Sequence, residues 1–334
     1  MNKMKRAGLL IPALVLVFTL CACGERTGSD LTEVTLCLDW TPNTNHTGFY
    51  VAQALGYFEE AGLSVRIVQP TEDGATVSCA AGQVEFAITA QDTLAAAFAR
   101  EEPLAVTAVA ALLQHNTSGI LGRAGEGLDS PAGLEGKRYS TWNSPIEIAM
   151  LEHVVKTAGG SFANVTLIPN NIVDEAGALR ENQTDAVWVF YGWSGISAEL
   201  SGLNFDYFAF GDMDPVLDYY TPVLIASDKF LADEPEAAKA FLAAAARGYE
   251  YAIAHPEEAA GLLIEGDGTG SLKGSEALVL ASQKWMTGQY KAEVERWGYI
   301  DPTRWDAFYQ WLNDNALVEH PIPAGTGFSN EYLP

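Results

Sequence analysis

Short apolar runs that read as strands alternate with longer stretches at helical spacing through most of this chain. That alternation confines it to an α/β fold built on sheets of largely parallel strands. The first series places strands at 34–38, 64–68, 86–88 and 105–112, with helices near 48–56, 76–81 and 93–100. A second series follows Ser118-Gly119-Ile120-Leu121, with strands at 138–140, 165–168 and 186–190 and helices at 146–158, 174–181 and 196–200. The chain then returns to the first unit through Thr221-Pro222-Val223-Leu224-Ile225-Ala226, and helices near 235–254, 275–286 and 303–315 follow. A length of 334 residues fits two domains. Two lobes joined by two crossing segments make a hinged clamp with its ligand between them. The expected boundaries are 33–119 with 226–334 for one lobe and 120–225 for the other.

The amino-terminal residues address the compartment. Lys3, Lys5 and Arg6 precede an apolar run at 8–20, too short to span a bilayer comfortably, which reads as a signal peptide over 1–22. Leu20-Cys21-Ala22-Cys23 matches the bacterial lipoprotein cleavage pattern, so Cys23 is expected as the lipidated first residue, followed by a tether over 23–32. An ordinary secreted protein cut nearby, or an uncleaved anchor, are the alternatives. Removing the leader takes three positive charges away and moves the formal net charge from −24 to −27. So acidic a body repels phosphate polymers and argues against nucleic-acid partners. Cys37 and Cys79 are expected as two buried thiols, with a disulfide as the alternative. The five histidines are scattered, and no spacing supplies a metal site.

In open α/β sheets ligands bind outside the carboxyl ends of the strands. Five loops stand there, at 39–47, 89–93, 114–119, 141–145 and 191–195, and none contains Lys or Arg. A site for sulfonate, nitrate or phosphate calls for cations or dense backbone amides. These loops instead carry Trp40, Trp142, Tyr191 and Trp193 beside Asp39, Asp92, Gln114 and Asn116. That set suits a flat, neutral or weakly basic ring, with aromatic faces stacking on it and carboxylates and amides receiving its amino hydrogens.

Several of these residues also have structural readings. Ser144-Pro145-Ile146-Glu147 has the serine, proline and acid of a helix start, so Glu147 is expected to cap, while Trp142 and Asn143 are better placed to face the cleft. Asp92-Thr93 either caps the following Ala-rich helix or contacts the ligand. Asn45 and His46 either bond within their own loop or reach the ligand. Tyr219-Tyr220, before the second crossing, reads as hinge packing, with a lid over the ring as the alternative.

At these residues the chain resembles the pyrimidine-precursor-binding lipoproteins of thiamine-salvage ABC importers, which share a fold with the fungal thiamine-pyrimidine synthases. The resemblance rests on Leu38-Asp39-Trp40, Pro42-Asn43-Thr44-Asn45-His46-Thr47-Gly48, Tyr50-Val51-Ala52, Gly56-Tyr57-Phe58, 114–119, Trp142 with Ser144-Pro145, Tyr191-Gly192-Trp193 and 218–222. It implies a type II periplasmic-binding-protein-like fold, each lobe a sheet flanked by helices. It also implies a cleft for an aminopyrimidine such as formylaminopyrimidine or hydroxymethylpyrimidine, touched by Asp39, Trp40, Asn45, His46, Tyr191 and Trp193. One departure is that family members carry Tyr-Gln-Glu after the third strand, where this chain has Ala90-Gln91-Asp92.

The synthase relatives use a pyridoxal-phosphate-bearing lysine in the third-strand region and a cysteine-rich run. No lysine occurs here between Arg6 and Lys137, and Cys79 is the last cysteine. A Schiff base needs an amine, so that chemistry is not expected. No serine-elbow motif points to a hydrolase. The expected role is therefore binding without a cofactor, by a monomer anchored to the membrane through lipid on Cys23, which delivers its ligand to a permease and its ATPase. A receptor for alkylsulfonate, nitrate or taurine is the competing binder. The nearest cations, Arg66, Arg100 and Arg123, read as strand surface, helix end and linker.

Overall fold

The computed structural model describes residues 31–334 apart from 71 and 171; the leader and Cys23 lie outside the described residues. Its strands are β1 (Thr32–Cys37), β2 (Leu63–Val68), β3 (Phe86–Thr89), β4 (Val106–Ala111), β5 (Ser118–Arg123), β6 (Arg138–Thr141), β7 (Thr166–Pro169), β8 (Ala186–Phe190), β9 (Phe205–Ala209) and β10 (Val223–Ser227). They form two five-stranded sheets, ordered β2-β1-β3-β10-β4 and β7-β6-β8-β5-β9. Helices flank both, giving a two-lobed α/β fold.

Neither sheet is purely parallel. β1 runs parallel to β2 and β3, but β10 is antiparallel to both its neighbours. In the second sheet β6 is parallel to β7 and β8, while β5 is antiparallel to β8 and β9. The reversed strands are the ones entered directly from a crossing. A chain leaving one sheet at the carboxyl edge of its strands enters the other sheet at that same edge, and so runs against the rest. β9 was not foreseen from the sequence. Thr32, expected in the tether, already opens β1, and the return to the first sheet lies at Val223 rather than 226.

Alternate positions of β1 fill the core, with Val34, Leu36 and Leu38 packing on Phe49, Phe86 and Phe241. Cys37 and Cys79 are free and buried, and burial pushes the Cys79 thiol well up, leaving an inert apolar filler. The helix Thr47–Ala54 lies so close to Pro235–Ala254 that a Cβ at Gly248 would stand 1.9 Å from the Gly48 carbonyl oxygen. This contact seats the loop between β1 and its helix.

The crossings are fastened by charge. Asp218, in the second crossing, accepts from the Asn116 backbone N–H at 2.8 Å, from His115 Nδ1 at 2.7 Å and from Arg304 Nη1 at 3.0 Å. His115 also meets Glu293 at 2.8 Å, and the Arg304 guanidinium lies 4.3 Å over the Tyr220 ring. Tyr219 stacks on Phe308 at 4.2 Å. Both tyrosines are therefore packed at the hinge, as the sequence reading expects.

Two outcomes follow from these contacts. Gly248→Ala has no flexible side chain to displace and should lower the unfolding free energy by about 1–3 kcal/mol, read from urea denaturation. The hydrogen bond to Asp218 raises the His115 pKa above 6.5 against the opposing effect of burial, with Glu293 adding to it. His115 thus stabilises the fold fully below the unfolded value, and the contribution fades as pH rises through the higher folded value. The stability gap between the native chain and His115→Gln should accordingly be larger near pH 6 than near pH 9; equal gaps would remove His115 from the hinge's electrostatics.

Candidate functional site

The loop after β1 is held by its own polar groups. Asn43 Oδ1 accepts from Asn45 N at 2.9 Å, and the Asn43 backbone N–H donates to His46 Nδ1 at 3.2 Å. Because Nδ1 accepts, the neutral ring carries its proton on Nε2, which donates to Asp39 Oδ1 at 2.9 Å. His46 is fully buried, so its bonds stay within the loop. Tyr249 and Tyr290 donate to the Asn45 and Thr44 carbonyls, each at 2.6 Å, and Thr47 donates to Gln283 at 2.7 Å. Asp39 is thereby fixed at the carboxyl end of β1, and Trp40 beside it is 65% exposed.

Between the sheets lies a cavity of about 300 Å³. One lobe supplies Ala90, Asp92 and Thr93, the other Trp142, Glu147, Trp188 and Phe190, and the second crossing Tyr219 and Thr221. The two indoles face each other at 5.6 Å between centroids. Glu147 is spent on structure. It accepts from Tyr139 Oη at 2.6 Å, Thr141 Oγ1 at 2.9 Å and the Trp142 and Ser144 backbone N–H groups, completing the capping box that the sequence predicts.

Asp92 differs. Its helix, Gln91–Phe98, is entered from Ala90, which offers no side-chain cap, so Asp92 stands in the first turn. Part of the residue meets solvent, yet Oδ1 is sealed and has no hydrogen-bond partner among the described residues. Burial raises its pKa to about 6, against weaker pulls downward from its own and the Thr93 backbone N–H. Among the described residues the Trp188 indole N–H is the other buried side-chain polar atom without a partner, and Trp188 lines the same cavity. Groups left in this condition cost free energy unless something else meets them.

A larger cavity of about 430 Å³ adjoins on the first lobe, lined by Asp39, Asp73, Thr76, Thr89 and Arg100 among others, and it shares Ala90 and Thr93 with the first. Arg100, read from the sequence as a helix end outside the site, thus belongs to a cavity wall.

The remaining candidates sit elsewhere. Gln114 donates to the Tyr299 carbonyl at 2.9 Å and Asn116 to the Leu217 carbonyl at 2.8 Å, both buried at the crossings. Tyr191 lies in the turn Tyr191–Gly195, donates to Glu199, and stands 5.4 Å from Trp285. Trp193 packs with Tyr50, Leu263, Leu272 and Val279. Asn45 lines neither cavity. The structure thus gathers Asp39, Asp92 and Trp142 around the cavities and places Gln114, Asn116, Tyr191 and Trp193 in lobe and hinge contacts. Trp188 was missed because it sits inside a strand. Its signal was the Val187-Trp188-Val189 alternation, which sends the indole to the face opposite the valines.

The NMT1/THI5-like family model matches residues 43–259, and the chain belongs to that family. It is 29% identical to the formylaminopyrimidine-binding protein of Halalkalibacterium halodurans, over 96% of this chain and 98% of that one. It is 27% identical to the 4-amino-5-hydroxymethyl-2-methylpyrimidine phosphate synthase of Candida albicans, over 68% of this chain and 69% of the relative. Its fold is similar to that of the periplasmic aliphatic sulphonate binding protein SsuA from Escherichia coli, with a TM-score of 0.65 at 14% identity, covering 87% of this chain and 95% of that one.

The Asp92 carboxyl generates a pH test. Its folded pKa of about 6 exceeds the reference 3.8, so the folded protein holds the proton more tightly and loses stability as pH rises from 3.8 to 6. The loss amounts to about 3 kcal/mol at neutral pH. Asp92→Asn keeps the bonds from the backbone and never ionises. It should be more stable than the native chain by up to that amount at pH 7 and converge with it below pH 4, measured by urea unfolding at both pH values.

Proposed function

We propose that the protein is the extracytoplasmic substrate-binding component of an ABC importer and that it captures an aminopyrimidine, formylaminopyrimidine or hydroxymethylpyrimidine, for uptake and thiamine salvage. The observation that carries this reading is the inter-lobe cavity in which the Trp142 face stands near a carboxylate oxygen without a partner. A flat ring stacks on the indole and gives its amino hydrogens to Asp92. Trp188 offers its N–H to a ring acceptor. Closure depends on the ligand because only the closed state lets both lobes touch it. The likeness to the formylaminopyrimidine-binding protein supports the same ligand class.

In this reading the protein is a monomer without a cofactor, held to the membrane by lipid on Cys23. Catalysis of the synthase kind is disfavoured by residues 86–93, which contain no amine side chain. The competing binder, an alkylsulfonate receptor, draws on Arg100 in the larger cavity. A calorimetric comparison of hydroxymethylpyrimidine with an alkylsulfonate separates the two, and mass spectrometry of small molecules released from freshly purified, denatured protein identifies the cargo. Trp142→Ala should weaken aminopyrimidine binding by about 1–3 kcal/mol, the range for a lost base-aromatic stack, with unchanged far-UV circular dichroism. A loss below about twofold would take Trp142 out of the contact.

A further inference from the structure

We infer that the ligand has two parts: a heteroaromatic ring held between the lobes, and a cationic arm that passes between Ala90 and Thr93 into the larger cavity. The inference rests on the aminopyrimidine reading and extends it. The two cavities, about 300 Å³ and 430 Å³, have Ala90 and Thr93 as common lining residues. These are small side chains, one half-buried and one exposed, so the wall the two compartments share at these positions is thin. A bare aminopyrimidine fills only a fraction of the first and leaves the second to water.

The far compartment states what the arm must be. Its walls are mostly apolar, with the Asp39 and Asp73 carboxylates and the Thr76 and Thr89 hydroxyls as acceptors. Asp39 is the more strongly positioned, because the buried His46 holds its Oδ1 at 2.9 Å while the side chain keeps 32% of its surface. Two carboxylates, Asp39 part-exposed and Asp73 exposed, stand against one exposed arginine, and on a chain of net charge −24 that balance favours a positive group. Asp92, with its unpartnered oxygen, fixes the ring end. The ligand class is therefore an aminopyrimidine joined through a short link to a cationic ring or amine.

Calorimetry with thiamine, an aminopyrimidine linked by one methylene to a thiazolium, and with hydroxymethylpyrimidine tests this. The native chain should bind thiamine at least about tenfold more tightly, a difference of 1.4 kcal/mol. Ala96→Leu fills part of the larger cavity and, independently, Asp73→Asn removes one of its carboxylates; neither residue lines the first cavity, and each should erase that advantage while leaving hydroxymethylpyrimidine within about threefold of its native affinity. Circular dichroism and thermal unfolding check that both variants fold. Hydroxymethylpyrimidine binding as tight as or tighter than thiamine in the native chain would overturn the two-part ligand and leave the aminopyrimidine function standing. Failure of both probes to bind would overturn that function and this inference with it. A thiamine preference that survives both substitutions in the larger cavity would also overturn it, since the arm would then lie elsewhere.

Discussion

Asp218 holds the two crossings together, and the geometry of the cleft follows from that. One carboxylate takes a backbone N–H from the first crossing and side-chain donors from His115 and Arg304. The buried amides Asn116 and Gln114 satisfy the neighbouring carbonyls. Unpaired backbone groups in such connections would be costly to bury. Because these are met, the crossings pass close to the cleft and Tyr219 and Thr221 can form part of its wall.

The cleft is consequently two-sided. On one side the turn Tyr191–Gly195 is already docked on the first lobe, where Ser282 donates to the Gly192 carbonyl and Trp193 packs among aliphatic side chains. On the other side, polar atoms remain unmatched beside the Trp142 and Trp188 rings. The docked turn and the unmatched polar atoms thus stand in different parts of the cleft. The aromatic residues of the 191–195 loop make packing contacts in this structure, although their composition also suits a binding loop.

Most elements were legible because hydrophobic period and terminal signals act locally. The helix Pro145–Thr157 announced itself through Ser144 and Glu147, and Gly56 stops its helix with a φ of 73°. β9 was not legible. It is a half-buried edge strand whose pairing with β5 is set by partners far away in sequence. The site was legible as a set of loops but not as a division of labour. Asn116 and Gln114 use the same amide chemistry to hold a crossing as to hold a ligand, so composition alone gives both readings. That Asp92 Oδ1 lacks a partner among the described residues depends on everything packed around it, which no local pattern records.

β10 lies between β3 and β4, although more than a hundred residues separate it from either. As the chain folds, the second sheet, contiguous from β5 to β9, can close while the first waits with two apolar strand edges unpaired. Such edges invite association with other chains until the missing strand arrives. The order of the sheet therefore makes truncation anywhere between residues 112 and 222 damaging to a lobe whose other four strands are all present.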